Sequence, residues 1–83
     1  MPYEKSEVDP APLRRLGDVV VRRRTVPGGT QEQLAHAAGI SVYFLRRIER
    51  GVGNPSYMTL RRLAAALGTD VATLIAEAEK PDA

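Results

Sequence analysis

The chain has 83 residues, with twelve basic and ten acidic side chains, one histidine and no cysteine. That length suits one small domain, which buries roughly 60% of its unfolded surface and is only modestly stable unless it pairs with something. Without cysteine, disulfides, thiolate metal sites and thiol nucleophiles are excluded together, and no apolar run approaches the ~20 residues that cross a bilayer.

Residues 1–12 read as an N-terminal arm, partly disordered, because the start is polar and irregular and Pro10-Ala11-Pro12 is stiff. The same start, MPYEKSEVDPAP, has no hydrophobic core behind a basic end, so a cytoplasmic location is expected. The domain proper is expected over residues 13–79. From Leu13 to Arg24, the apolar positions Leu13, Leu16, Val19 and Val20 fall at helical spacing. Val26-Pro27-Gly28-Gly29 ends that helix. Thr30 with Gln33 three residues on is a capping-box pattern, and it opens a second helix that packs Leu34, Ala35 and Ala38 and stops at Gly39.

Gly39-Ile40-Ser41 leaves a turn of about three residues before a third helix that Ser41 can cap, which is a helix-turn-helix arrangement. Residues 51–55, Gly-Val-Gly-Asn-Pro, are loop. A fourth helix runs from Ser56 or Tyr57 to Leu67, with Leu60, Leu63, Ala64 and Leu67 inward and Gly68 as its stop. Asp70 caps a fifth, Val71 to Glu79, with a stripe of Val71, Leu74, Ile75 and Ala78. Residues 80–83 remain as a C-terminal tail. The fold class is therefore all-α, a compact domain of five helices.

The net charge of +2 hides an asymmetry. Residues 14–62 hold ten arginines against Asp18, Glu32 and Glu49, a net of +7, while the first 13 residues carry −2 and the last 21 carry −3. A basic middle between acidic ends is either a solvated charged surface or the footprint of a polyanion binder. The third helix favours the second. Projected at about 100° per residue, it puts Ser41, Leu45 and Ile48 on one side, with Phe44 and Glu49 at the margins. Tyr43, Arg46, Arg47 and Arg50 fall on the other, with Val42 at the border. On its inward side, Glu49 is expected to be a buried or half-buried acceptor that ties helices together.

From Leu16 to Ile75 the chain resembles the Cro and phage-repressor type of helix-turn-helix domain, the xenobiotic-response-element family. The residues that carry the likeness are Leu16-Gly17, Thr30 to Ala35 (TQEQLA), Gly39-Ile40-Ser41, Ile48 to Gly51 (IERG), Asn54-Pro55, Leu60, Leu63-Ala64, Ala66-Leu67-Gly68 and Leu74. Two features depart from that pattern: the linker Thr25 to Gly29, and the bulky pair Val42 and Tyr43 where polar readers are common.

The resemblance implies a lambda-repressor-like DNA-binding domain acting as a transcriptional regulator. By resemblance and by the helical projection alike, Val42, Tyr43, Arg46 and Arg47 face base edges; Val42 and Tyr43 have the alternative of packing on the second helix. An arginine fork suits guanine O6 and N7, and an apolar side chain suits a thymine methyl. For the DNA backbone, the expected set is Gln31, Ser41, Arg50, Asn54, Ser56 and Arg24. Gln31 sits at a helix amino end that suits a phosphate, though plain capping is open to it, and Asn54 and Ser56 equally suit turn formation around Pro55. Arg22 and Arg23 share the end of the first helix, where positive charge complements the dipole.

One helix reads only a few base pairs, so a homodimer on a palindromic operator is expected, with Val71, Leu74, Ile75 and Ala78 at its interface; closure of the monomer core is the other use for these four. Activity is then expected to answer to protein concentration or to a partner protein such as a toxin or polymerase, as in an autoregulating repressor, a controller protein or an antitoxin. The alternative class is a protein-interaction adaptor that uses the same fold without DNA. No cofactor, metal or catalytic residue is expected. His36 is solitary, and no serine or threonine has a paired base.

Overall fold

In the computed structural model, residues 9–80 are described, and residues 1–8 and 81–83, which hold most of the expected arm and tail, lie outside them. Five helices follow in chain order: α1 Ala11–Thr25, α2 Gln31–Ala38, α3 Val42–Glu49, α4 Tyr57–Ala66 and α5 Val71–Glu79. The first begins two residues before the expected Leu13, so Ala11 and Pro12 belong to α1 and not to an arm. Proline suits the first turn, where its missing N–H would have had no intrahelical partner. Asp9 Oδ1 accepts from the Ala11 N–H at 3.0 Å and supplies the start that Pro10 cannot.

The other four helices are capped by side chains as their sequences imply. Thr30 and Gln33 form the reciprocal box, with Gln33 N donating to Thr30 Oγ1 at 3.0 Å and Thr30 N to Gln33 Oε1 at 2.9 Å. Ser41, Ser56 and Asp70 each accept from the backbone N–H three residues on, at 2.9, 3.1 and 2.8 Å. Gly39 ends α2 in the left-handed conformation, φ 70°, and turns the chain into α3 within a few residues.

Packing joins these helices around Val20, Leu45, Ile48, Leu63 and Leu74, the largest side chains that are fully buried. Each stabilises the fold by roughly 1.5 to 3 kcal/mol through the surface it removes from water. In this arrangement α1 lies against α3 and α5, and α2 against α3 and α4. The contact of α1 with α3 is close: a Cβ placed on Gly17 would stand 2.6 Å from the carbonyl oxygens of both Ile48 and Glu49.

The clamping of α5 onto α1 decides what that helix can offer a partner. Arg15 Nε donates to the Ala78 carbonyl at 2.8 Å, and Arg23 grips the Glu77 carboxylate with two nitrogens. Leu74 and Ala78 are consequently buried in the monomer core, which corrects their expected place at a dimer interface. Their methyls already fill the space between α5 and its neighbours, so they have no surface left. Val71 is half-buried against the same core, and Ile75 remains 37% exposed.

Candidate nucleic-acid interface

The amphipathic pattern of α3 sets its orientation. Leu45 and Ile48 are fully buried, Phe44 and Val42 lie half-buried against the core, and Tyr43 is 70% exposed. Arg46 and Arg50 are exposed beside it, so the helix turns one aromatic ring and a row of cations outward. Val42 divides its surface between the core and the outside.

Beneath α3 sits a polar node. Glu49 reaches inward, only 5% exposed as a side chain, and accepts from Arg24 at both oxygens, Nε to Oε2 at 2.7 Å and Nη2 to Oε1 at 2.9 Å. Gln31 Nε2 donates to the same Oε1 at 2.9 Å. The remaining Arg24 nitrogen, Nη1, donates to the Gly29 carbonyl at 3.0 Å, which the turn Thr25 to Gly29 brings back onto the end of α1. Hydrogen bonding to Glu49 raises the Arg24 pKa further above its ordinary value, against the smaller cost of burial.

This geometry bears on two residues expected at the DNA backbone. Arg24, expected on a phosphate, is 13% exposed and fully committed to Glu49 and Gly29. Drawing it out to DNA would leave a buried carboxylate unpaired, a cost of about 3 to 5 kcal/mol. The Gln31 side chain, also expected on a phosphate, turns its amide nitrogen inward to Glu49 and its carbonyl oxygen outward, where Oε1 accepts from Arg46 Nε at 3.1 Å. The N–H groups of the first turn of α2 are what that helix end offers an anion.

Other expected residues divide according to their partners. Arg47 is half-buried, its Nη2 donating to the Val52 carbonyl at 3.0 Å, so its head lies back along the loop that follows α3. The exposed Ser56 hydroxyl caps α4 and donates to Thr59 Oγ1 at 3.1 Å. Asn54 and Arg50 are exposed, and Ser41 is exposed while accepting the cap bond of α3. Glu32 lies among the basic groups, where its Oε2 stands 3.6 Å from Arg46 Nη2. The helical projection shows Glu49 needing a cation, but it does not say which of three consecutive arginines answers, and nothing in it points to Glu32 or the Val52 carbonyl.

Between α4 and α5, Tyr57, Arg61, Ala65, Val71 and Ala72 line an open groove of about 460 Å³, with the Arg61 guanidinium 6.0 Å from the centre of the Tyr57 ring. Among the described residues, no helix is long and apolar enough to cross a membrane.

Comparison with known proteins agrees with the geometry. Residues 27–74 match the model of a family described as helix-turn-helix. An HTH-type transcriptional regulator of Sinorhizobium fredii is 39% identical over 64 residues, covering 76% of this chain and 83% of that protein. The immunity repressor protein of Bacillus phage phi105 is 46% identical over 48 residues, 58% of this chain but 33% of the repressor's own length. Among solved structures, the restriction-modification controller protein C.AhdI from Aeromonas hydrophila superposes with a TM-score of 0.75 at 33% identity, over 77% of this chain and 97% of that one. The clp gene regulator ClgR from Corynebacterium glutamicum gives 0.76 at 33% identity, over 81% and 71%.

Proposed function

The chain belongs to the Cro/C1-type helix-turn-helix family of DNA-binding transcriptional regulators, which are not enzymes, and we propose that it is a cytoplasmic autoregulator that binds a palindromic operator as a homodimer. The observation that carries this reading is α3 itself: Leu45 and Ile48 anchor one side, while Tyr43, Arg46 and Arg50 are exposed on the other. The major groove of B-DNA, about 12 Å wide, admits one helix built this way.

In this reading Tyr43 and the outer half of Val42 meet thymine methyls, Arg46 and Arg47 meet guanines, and Arg50, Asn54 and Ser41 hold phosphates together with the first-turn N–H groups of α2. Arg47 reaches a base by exchanging the Val52 carbonyl for guanine, a carbonyl acceptor for a better one. Two copies pair through surface that the monomer leaves open on α5, around the exposed Ile75 and half-buried Val71, and place their reading helices about 34 Å apart. Titration of the homodimer by its own operator then couples regulation to protein concentration. The immunity repressor and the restriction-modification controller among the similar proteins support a switch of this kind.

Selection of preferred sites from random duplexes, followed by titration of the preferred one against salt, tests the reading. About six phosphates met per dimer give a log-log slope near −5. A two-fold symmetric consensus and that slope are expected, together with a loss of about 1 to 3 kcal/mol at the cognate site in Arg47→Ala. A flat salt response would point instead to an adaptor that uses the fold to hold another protein.

A further inference from the structure

The outward face of Gln31 and the acidic residue beside it have a role that phosphate binding does not explain. We propose that Gln31 and Glu32 are positioning residues that hold Arg46 by one edge and aim its other edge at a guanine, an inference that rests on α3 being the reading helix.

The chain of cause begins in the core. A carboxylate only accepts, so the end of the Gln31 amide that faces Glu49 must be the nitrogen, and Nε2 stands 2.9 Å from Oε1. Burial of Glu49 and its two bonds from Arg24 leave no freedom for the amide to flip. Gln31 Oε1 is thereby fixed outward, where it accepts the Arg46 Nε–H at 3.1 Å. Glu32, the next residue of the same first turn, sets Oε2 3.6 Å from Arg46 Nη2.

Nε and Nη2 share one edge of the planar guanidinium, so that edge faces α2. Nη1 and the second hydrogen of Nη2 form the opposite, end-on edge, which has no protein partner among the described residues. That end-on edge is a two-donor fork of the kind that matches guanine O6 and N7. A long exposed side chain otherwise loses rotamer freedom when it binds; here α2 has restricted it beforehand. Glu32 adds direction to charge: at the first turn of α2 it complements the helix dipole and sets a negative group beside Arg46 Nη2.

The opposite use of the same contacts would be to park Arg46 away from DNA, and the two differ in sign. The full chain and the variants Arg46→Met, Gln31→Met, Glu32→Gln and Gln31→Met/Arg46→Met are each taken through selection on a randomised duplex library. Anisotropy is then read on the preferred duplex and on one with the guanine·cytosine pair in question replaced by adenine·thymine. Arg46→Met is expected to lower guanine preference at one position of each half-site by about tenfold or more.

Gln31→Met and Glu32→Gln are each expected to lower preference at that same position by about threefold to fivefold, and Gln31→Met to add nothing once Arg46 is absent. Glu32→Gln changes one exposed atom and leaves folding intact, so it keeps the test valid if Gln31→Met disturbs the core. A gain in guanine preference in Glu32→Gln, beyond the uniform tightening that loss of a negative charge near phosphates brings, would mean parking, and an effect of Gln31→Met that survives in the double variant would mean a general field; either overturns the proposal. If Arg46→Met alters no position at all, base reading by Arg46 is itself wrong and the positioning role falls with it.

Discussion

Arg23 and Arg24 are neighbours on α1, and each grips a glutamate with two nitrogens, yet the two pairs work in different surroundings. Arg24 meets Glu49 beneath the reading helix, with the side chains 13% and 5% exposed. Arg23 meets Glu77 on the seam between α1 and α5, at 28% and 31%. The inner pair also holds Gln31 and the Gly29 carbonyl, so it fixes α1, the turn after it, α2 and α3 relative to one another. The outer pair spans one seam that apolar packing already closes. Identical chemistry one residue apart therefore yields a foundation for the site in one case and a solvent-screened tie in the other, because the worth of an ion pair is set by what leaving it unpaired would cost.

Breaking each pair in turn gives the largest contrast. Arg24→Met strands the Glu49 carboxylate and is expected to lower unfolding free energy by about 3 to 5 kcal/mol in urea titration, a large share of what a domain of this size has. Arg23→Met at the same temperature is expected to leave the midpoint almost unmoved. Equal losses from the two would erase the distinction. The seam itself is held by burial: Leu74→Ala, at a fully buried position, is expected to cost about 2 to 5 kcal/mol with the monomer's own unfolding as the readout, whereas Ile75→Ala leaves that unfolding nearly unchanged and weakens self-association in sedimentation.

The inner seam can be sharpened without touching a charge. Gly17→Ala pushes a methyl against the Ile48 and Glu49 carbonyls and is expected to cost about 1 to 3 kcal/mol in the same titration, because α1 must lift from α3. A neutral outcome would mean that the two helices part freely. The smallest effect belongs to pH. Hydrogen bonding to Arg23 holds the Glu77 carboxyl below its ordinary pKa, and the bond from the Thr73 N–H does the same for Asp70. A carboxyl whose pKa is depressed on folding contributes stability above its unfolded pKa and loses it as the pH falls through the folded value. Thermal midpoints should thus drop on acidification below the ordinary carboxylate range, and Glu77→Gln should flatten part of that slope. An unchanged slope would remove the outer pair from the account altogether.

Much of the fold was legible because it rests on local rules. Thr30, Ser41, Ser56 and Asp70 announce their helices through bonds that span three residues, and Leu45 and Ile48 declare the inner face of α3 by spacing alone. The start of α1 is the exception: Pro10-Ala11-Pro12 reads as a stiff arm, yet Pro12 serves in the first turn of the helix. In the site, Tyr43, Arg46 and Arg50 stand outward as the projection requires. The Arg24 guanidinium and the Gln31 amide nitrogen meet Glu49, and Leu74 and Ala78 are spent on the core, because each answers to a partner far along the chain.

What the sequence determined by itself is the set of five helices, their caps, their apolar stripes and a basic middle that gathers on α3, since all of these follow from backbone geometry and periodicity within a few residues. Which arginine meets Glu49, which way Gln31 points, how Arg46 is held and which residues of α5 remain for a partner were decided only by tertiary structure. Those contacts join residues 14 to 63 positions apart, and a buried carboxylate takes whichever donors packing brings within reach.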